Sequence, residues 1–399
     1  MKTNYFKSIQ TIIVAFALLV FFSCNNEKPK EKPLENKSKD SAQLAVNNKS
    51  KPIEINKNYD DIAKYLAGMK PDSNGGLSNL CSNPVWKKYF AISNYKWTDF
   101  HSKKTTVIRS WSNKELSDVE KNSQIIFYPF SGPDILHAFT FFPNAKKYIM
   151  IGLEPVGTIP SPETFGKDSL KSYLELLTQT INDALCLSFF KTKDMSYELN
   201  NQDIDGTIQI IMLFLARTNN EITNIKPVEI NNDGNIAYLN DFTGFKKQKG
   251  NNKGVEISFK TKNTDSLKQV YYFSINLSNE GLTNNKKAKL FLDKIDNGVT
   301  TFIKSASYLM HKSWFSMIRS TILSKSKYIL QDDSGIGFHF FNKNDWNIQL
   351  YGTYTEPIKL FKNDLEEDLK QAYTENSKPL YFRIGYGRNS NLLLARKKS

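Results

Sequence analysis

The sequence predicts an α/β (or α+β) fold: a βαβ unit in a mixed sheet, an antiparallel meander beside it, and flanking helices. Three observations predict it. Residues 124–154 read as a strand, a short helix and a second strand, with continuous rather than alternating apolar character, as in a parallel pair buried on both faces. In residues 168–190, Leu170, Leu174, Leu177, Ile181 and Leu185 recur at helical spacing. From Glu221 onward, short β-branched and aromatic runs are separated by Asn/Gly turns, the pattern of a meander.

The chain begins with Lys2 and Lys7, followed by the apolar run Ile12–Phe22, then Ser23, Cys24 and the polar stretch NNEKPKEKP. The run is about half the roughly 20 residues a membrane-spanning helix needs, and matches the apolar region of an export signal. These residues resemble a bacterial lipoprotein precursor. The resemblance implies removal of residues 1–23, lipidation of Cys24 with several acyl chains, palmitate among them, and attachment to the cell envelope. Asn25 rather than Asp follows the cysteine, which by the same resemblance implies the outer membrane. More than one acyl chain is what stable anchoring requires. Ile208–Ala216 is the longest later apolar stretch and is too short to span a bilayer.

Residues 24–57 are rich in Lys, Glu, Asn and Pro, and cannot bury enough apolar surface to fold. They are expected to form a tether with a root-mean-square reach of about 30 Å. Two folded parts are expected beyond it, 58–220 (α/β) and 221–399 (mixed α+β), as one domain or two. The net charge is +14, and loss of Lys2 and Lys7 leaves +12. Only six of the 54 basic residues are Arg, the side chain that reads phosphates and bases by its bidentate fork, so no nucleic-acid partner is expected.

A helix is expected over Asp60–Met69, ended by Pro71 and the Asn74-Gly75-Gly76 turn. Asn83-Pro84 reads as a cap followed by proline at the first helical position. The strand Gln124–Phe130 runs into the turn Ser131-Gly132-Pro133-Asp134, the helix Ile135–Phe142 and the strand Lys147–Glu154. Residues 204–217 are buried, with type undecided. Meander strands are Glu221–Ile230, Asn235–Leu239, Val255–Thr261 and Gln269–Leu277. Helices return at Lys286–Ile295 and Ser313–Ser324, and strands at Lys327–Gln331, Trp346–Tyr351, Tyr381–Tyr386 and Leu392–Arg396.

Gly132 lies 22 residues before Glu154, near the spacing at which Rossmann-type folds set an acid on a ribose hydroxyl. This stretch resembles the first motif of Rossmann-type S-adenosylmethionine-dependent methyltransferases. It departs from that motif in having one glycine, and Pro133 removes an N–H that would meet an anion. The unit therefore reads as Rossmann-like scaffold, with no cofactor expected.

Ser131, Asp134, His137 and Glu154 would gather where the parallel strands end. Asp134 and His137, at i and i+3, can meet, and a carboxylate-oriented His beside a Ser is the raw material of acyl transfer. The plainer alternative is that Ser131 or Asp134 caps the helix. A second candidate binding group is Asp332, Asp333 and His339, with a simple Asp/Ser/Gly turn as its alternative. Cys81 and Cys186 could form a bridge or remain buried thiols. Nothing has metal-ligand spacing, so no metal site is expected. Aromatics are dense between Trp314 and Tyr354 and could stack on sugars if exposed. The expected role is a membrane-anchored envelope lipoprotein that binds an envelope polymer, glycan or protein partner. The alternatives are an envelope hydrolase using the Ser131/Asp134/His137/Glu154 crevice and a diverged methyltransferase-like protein.

Overall fold

The βαβ unit forms as predicted. Strand β1 (Ile125–Pro129) pairs in parallel with β2 (Lys147–Gly152), Ile125 opposite Lys147, and the helix Ile135–Phe141 joins them. The computed structural model describes residues 52–72, 74–187, 205–245, 251–386 and 389–398. The signal region with Cys24, almost all of the tether and the Cys186 side chain lie outside them. Lys51–Ser399 forms one compact unit.

The remaining strands are β3 (Asn220–Ile230), β4 (Ile236–Tyr238), β5 (Lys253–Thr261), β6 (Leu267–Ser274), β7 (Val299–Ile303), β8 (Ser326–Gln331), β9 (Trp346–Gly352), β10 (Ser377–Lys378) and β11 (Asn391–Lys397). They form one mixed sheet in the order β10-β9-β11-β8-β7-β1-β2-β6-β5-β3-β4. The central five, β8-β7-β1-β2-β6, are parallel. Counted along the chain, these five run 3-2-1-4-5, the doubly wound order. β11 lies antiparallel between β8 and β9, and β5, β3 and β4 extend the other edge antiparallel.

Alternation along the central strands supplies both faces. Ile126, Tyr128, Tyr148 and Met150 pack on one side with the helices Lys57–Leu66, Pro84–Phe100, Thr106–Glu115, Lys167–Leu187 and Ile208–Arg217. Phe127, Ile149 and Ile151 pack on the other with the helices Lys286–Asp293 and Ser316–Lys325. The chain changes face after β6, so β2 and β7 leave β1 on opposite sides. That divergence opens a crevice at the carboxyl ends of the strands.

Several predicted elements are corrected. The first helix is Lys57–Leu66, started by Asn56, whose side chain accepts from the Tyr59 N–H. The undecided apolar segment contains the helix Ile208–Arg217. The last meander strand, β6, joins the parallel block through β2. Residues 381–386 are not a strand, and β7 was not foreseen. β7 reads as polar because of Thr300 and Thr301. Both are buried because their hydroxyls pair with those of Ser123 (2.5 Å) and Ser326 (2.7 Å). Cys81 is a free thiol that donates to the Leu77 carbonyl.

Candidate functional site

A cavity of about 350 Å³ sits at the carboxyl ends of β1, β2, β6 and β7. That volume lies at the lower end of the range for small-molecule pockets. Its walls are mainly apolar: Phe130, Ile151, Leu153, Ile275, Leu277 and Phe315. Its polar groups come from four strand ends: Ser131 and Asp134 after β1, Glu154 after β2, Asn276 after β6, and Lys304, Ser305 and Ser307 after β7.

The backbone is strained here. Among the described residues, seven non-glycine residues have positive φ. Three are Asn, which tolerates the left-handed region. The other four are Phe130 (59°), Ser305 (53°), Ser307 (54°) and Tyr308 (53°). Three of these line the cavity and Tyr308 continues the same loop. Such conformations cost of order 1–3 kcal/mol each and concentrate at binding sites. Two glycines bring backbone close on the β1/β2 side. Gly132 has φ of 51°, and a Cβ on Gly152 would fall 2.6 Å from Glu154 Oε2 and 3.1 Å from the Gly132 Cα.

Asp134 anchors a charge network under the cavity. It caps the helix Ile135–Phe141 by accepting from the His137 N–H. The same carboxylate meets His137 Nδ1 at 2.8 Å, Lys304 Nζ at 2.8 Å and the Tyr128 hydroxyl, which donates at 3.0 Å. The Asp134 and Lys304 side chains are only 3% and 2% exposed. Burial pushes the Asp134 carboxyl up, but His137 and Lys304 outweigh it and hold the group well below the usual carboxylate range. Burial lowers the His137 pKa, with nearby Lys304 and Lys104 adding to it against the pull of Asp134. His137 donates through Nδ1 to Asp134 and stands edge-on to Phe100.

The predicted crevice thus assembles only in part. Ser131 Oγ donates to the carbonyls of Gly132 (2.9 Å) and Ile151 (3.2 Å), a geometry that secures the turn rather than passing a proton to His137. Glu154 is buried, and the Tyr272 hydroxyl donates to its carbonyl at 2.9 Å.

Asp332 and Asp333, at the end of β8, brace the strained loop. Asp332 accepts from the Ser305 N–H (2.8 Å) and from Ser334 N (3.0 Å) and Oγ (2.5 Å), closing an Asx turn. Asp333 accepts from the Tyr308 hydroxyl, and from Asn391 Nδ2 at 2.9 Å. Burial raises the pKa of both carboxyls, and for Asp332 the adjacent Asp333 charge raises it further. His339 does not join them. It is half-exposed and pairs through Nδ1 with Glu366 at 3.1 Å. Sequence reasoning missed Lys304, Ser305, Ser307 and Tyr308. The signal available was Asn297-Gly298 followed by the β-branched run of β7, which ends at Lys304.

Among the described residues no group of three His, Cys, Asp or Glu side chains could hold a metal ion. No described helix is long and apolar enough to cross a membrane. No protein family, curated protein or solved structure matches the chain.

Proposed function

We propose that this chain binds a neutral or cationic ligand of nucleoside type in the cavity at the switch point of its Rossmann-like sheet. The carrying observation is the cavity itself: four strand ends, two close-packed glycines and a buried acid at the end of β2, all enclosing an apolar slot. The charges argue against a phosphate. Asp134 and Glu154 outnumber Lys304, Lys304 is already bound to Asp134, and Pro133 offers no N–H. Glu154 stands where Rossmann-type folds hold ribose hydroxyls. The 3-2-1-4-5 order supports the reading of a diverged methyltransferase-like protein, since it is the doubly wound order that resemblance implies.

The hydrolase alternative is less well supported, because the Ser131 hydroxyl is engaged by backbone carbonyls. The glycan-binding alternative rests on exposed aromatics. Between Trp314 and Tyr354, Trp314 is 58% exposed, while Phe341, Trp346, Tyr351 and Tyr354 are buried.

The test is a melting series on the Lys51–Ser399 unit, which contains both core clusters, with adenosine, S-adenosylmethionine, adenosine monophosphate and glucose. A ligand at about 100 times its dissociation constant adds about 2.7 kcal/mol. Adenosine and S-adenosylmethionine should raise the melting temperature, and Glu154→Ala should abolish the rise. A rise with glucose alone would replace this reading with the glycan-binding one.

The address belongs to the same proposal: residues 1–23 are removed and Cys24 carries the acyl chains that hold the body to the envelope, at the outer membrane. The composition of residues 1–24 supports this. Metabolic labelling with an alkyne fatty acid should tag the wild-type protein and leave Cys24→Ser unlabelled. Equal labelling of both would exclude lipidation at Cys24.

A further inference from the structure

A second cavity, of about 310 Å³, lies on the helical face of the sheet. Its lining includes Trp97, His101, Arg109, Phe139, Pro143 and Arg217, and it shares no lining residue with the first. The feature that calls for explanation is Arg217. Its guanidinium donates to Asn94 Oδ1 (2.7 Å) and reaches the Gly68 carbonyl (3.5 Å), and it stacks over Trp97 at 5.8 Å. Among the described residues no carboxylate pairs with it, whereas Arg109 across the cavity is neutralised by Glu120 at 2.9 Å. Burial pushes the Arg217 pKa down to about 10, opposed by the nearby Tyr89 hydroxyl and by no carboxylate. Its place at the carboxyl end of the helix Ile208–Arg217 offsets part of the charge, worth at most a fraction of an ion pair.

The wall facing Arg217 is irregular. Between the helices Pro84–Phe100 and Thr106–Glu115 the chain forms a π-helical turn, His101–Thr105. Such turns are rare and frequently lie at functional sites. This one brings His101 and Thr105 to the cavity, with the His101 ring stacked against Trp97 at 6.1 Å. Asn219 closes the rim with φ of 63°.

A partly buried cation without a counter-ion is costly, and a guanidinium has five N–H donors, of which Asn94 and Gly68 occupy two. From the unneutralised Arg217, the apolar walls and the π-helical turn, we infer that this cavity binds a small monocarboxylate with an apolar body. The carboxylate pairs with the free edge of Arg217, and the body lies against Trp97, Phe139 and Pro143. A carboxylate matches the planar fork of Arg in two parallel hydrogen bonds.

The experiment titrates the Lys51–Ser399 unit with octanoate, followed by tryptophan emission and by calorimetry, with octanol as the neutral isostere. Octanoate should bind saturably, about tenfold or more tightly than octanol. Arg217→Gln should lose that advantage and Arg217→Lys should keep part of it. Trp97→Phe should abolish the emission change and weaken the binding seen by calorimetry, since the ligand body lies against that ring. Equal affinity for octanoate and octanol on the wild-type unit, no saturable binding, or unchanged octanoate affinity in Arg217→Gln would each overturn the inference. The octanoate–octanol comparison needs no variant, so it decides the matter even if Arg217→Gln fails to fold.

Discussion

At the residue scale, Asp134 shows how one side chain can be read two ways. Its sequence position allows a cap or a catalytic orienter, and the structure shows it capping the helix while neutralising buried Lys304. Asparagine would keep the capping oxygen and remove the charge. Asp134→Asn should therefore destabilise the fold by about 3–5 kcal/mol, the usual cost of breaking a buried ion pair. The double variant Asp134→Asn/Lys304→Met should recover most of that loss, measured by urea unfolding. A silent Asp134→Asn would mean that Lys304 does not depend on this partner.

Glu366 gives a pH prediction at the same scale. Burial raises its pKa from 4.5 to about 8, against the hydrogen bond from the Phe338 N–H. Between those two values the folded state keeps a proton that the unfolded chain has lost. Stability from this group therefore falls as pH rises through that window and is fully present below it. The melting temperature should rise on acidification from pH 8 to pH 6, and Glu366→Gln should reduce that slope, leaving the part that the buried Asp332 and Asp333 carboxyls contribute in the same direction. Burial lowers His311 to about 4, so this group works in the opposite direction, its contribution present above about pH 6.5 and lost as pH falls toward 4. The net gain should accordingly level off below pH 6.

At the element scale, the sequence was most legible where apolar period and capping agreed. Asn83-Pro84 starts the helix Pro84–Phe100, with Asn83 Oδ1 accepting from the Val85 N–H, and the β1–helix–β2 unit lies within two residues of its expected limits. β7 was hidden because its threonines look like surface. A hydroxyl pair inside a sheet is a tertiary fact, since Ser123 is 177 residues from Thr300. Thr300→Val should cost about 1–3 kcal/mol by orphaning the Ser123 hydroxyl, and Ser123→Ala/Thr300→Val should be nearly neutral. Differential scanning of the two variants separates this from a simple packing loss. The site residues that follow β7 were lost with it, because their importance lies in a left-handed backbone that Ser and Tyr do not announce.

At the scale of the whole molecule, half of each candidate group was legible and the other half needed topology. Ser131, Asp134, His137 and Glu154 are close in sequence, so a local reading could gather them. Lys304 and the Ser305–Tyr308 loop reach the same place because β7 returns beside β1 after the chain has built the opposite edge of the sheet. Asp332 accepts from the Ser305 N–H and so braces that loop, while His339 pairs with Glu366. The doubly wound order thus does two things at once. It leaves a crevice between β2 and β7, and it brings residues from distant segments to line it.

The central claim is that this crevice holds a nucleoside-type ligand. The most direct measurement is photolabelling of the Lys51–Ser399 unit with 8-azidoadenosine, followed by peptide mapping of the adducts. Adducts should fall on the segments 130–132, 151–154 and 275–277, be suppressed by excess adenosine and be lost in Glu154→Ala. Labelling spread over the surface and unaffected by adenosine would contradict it.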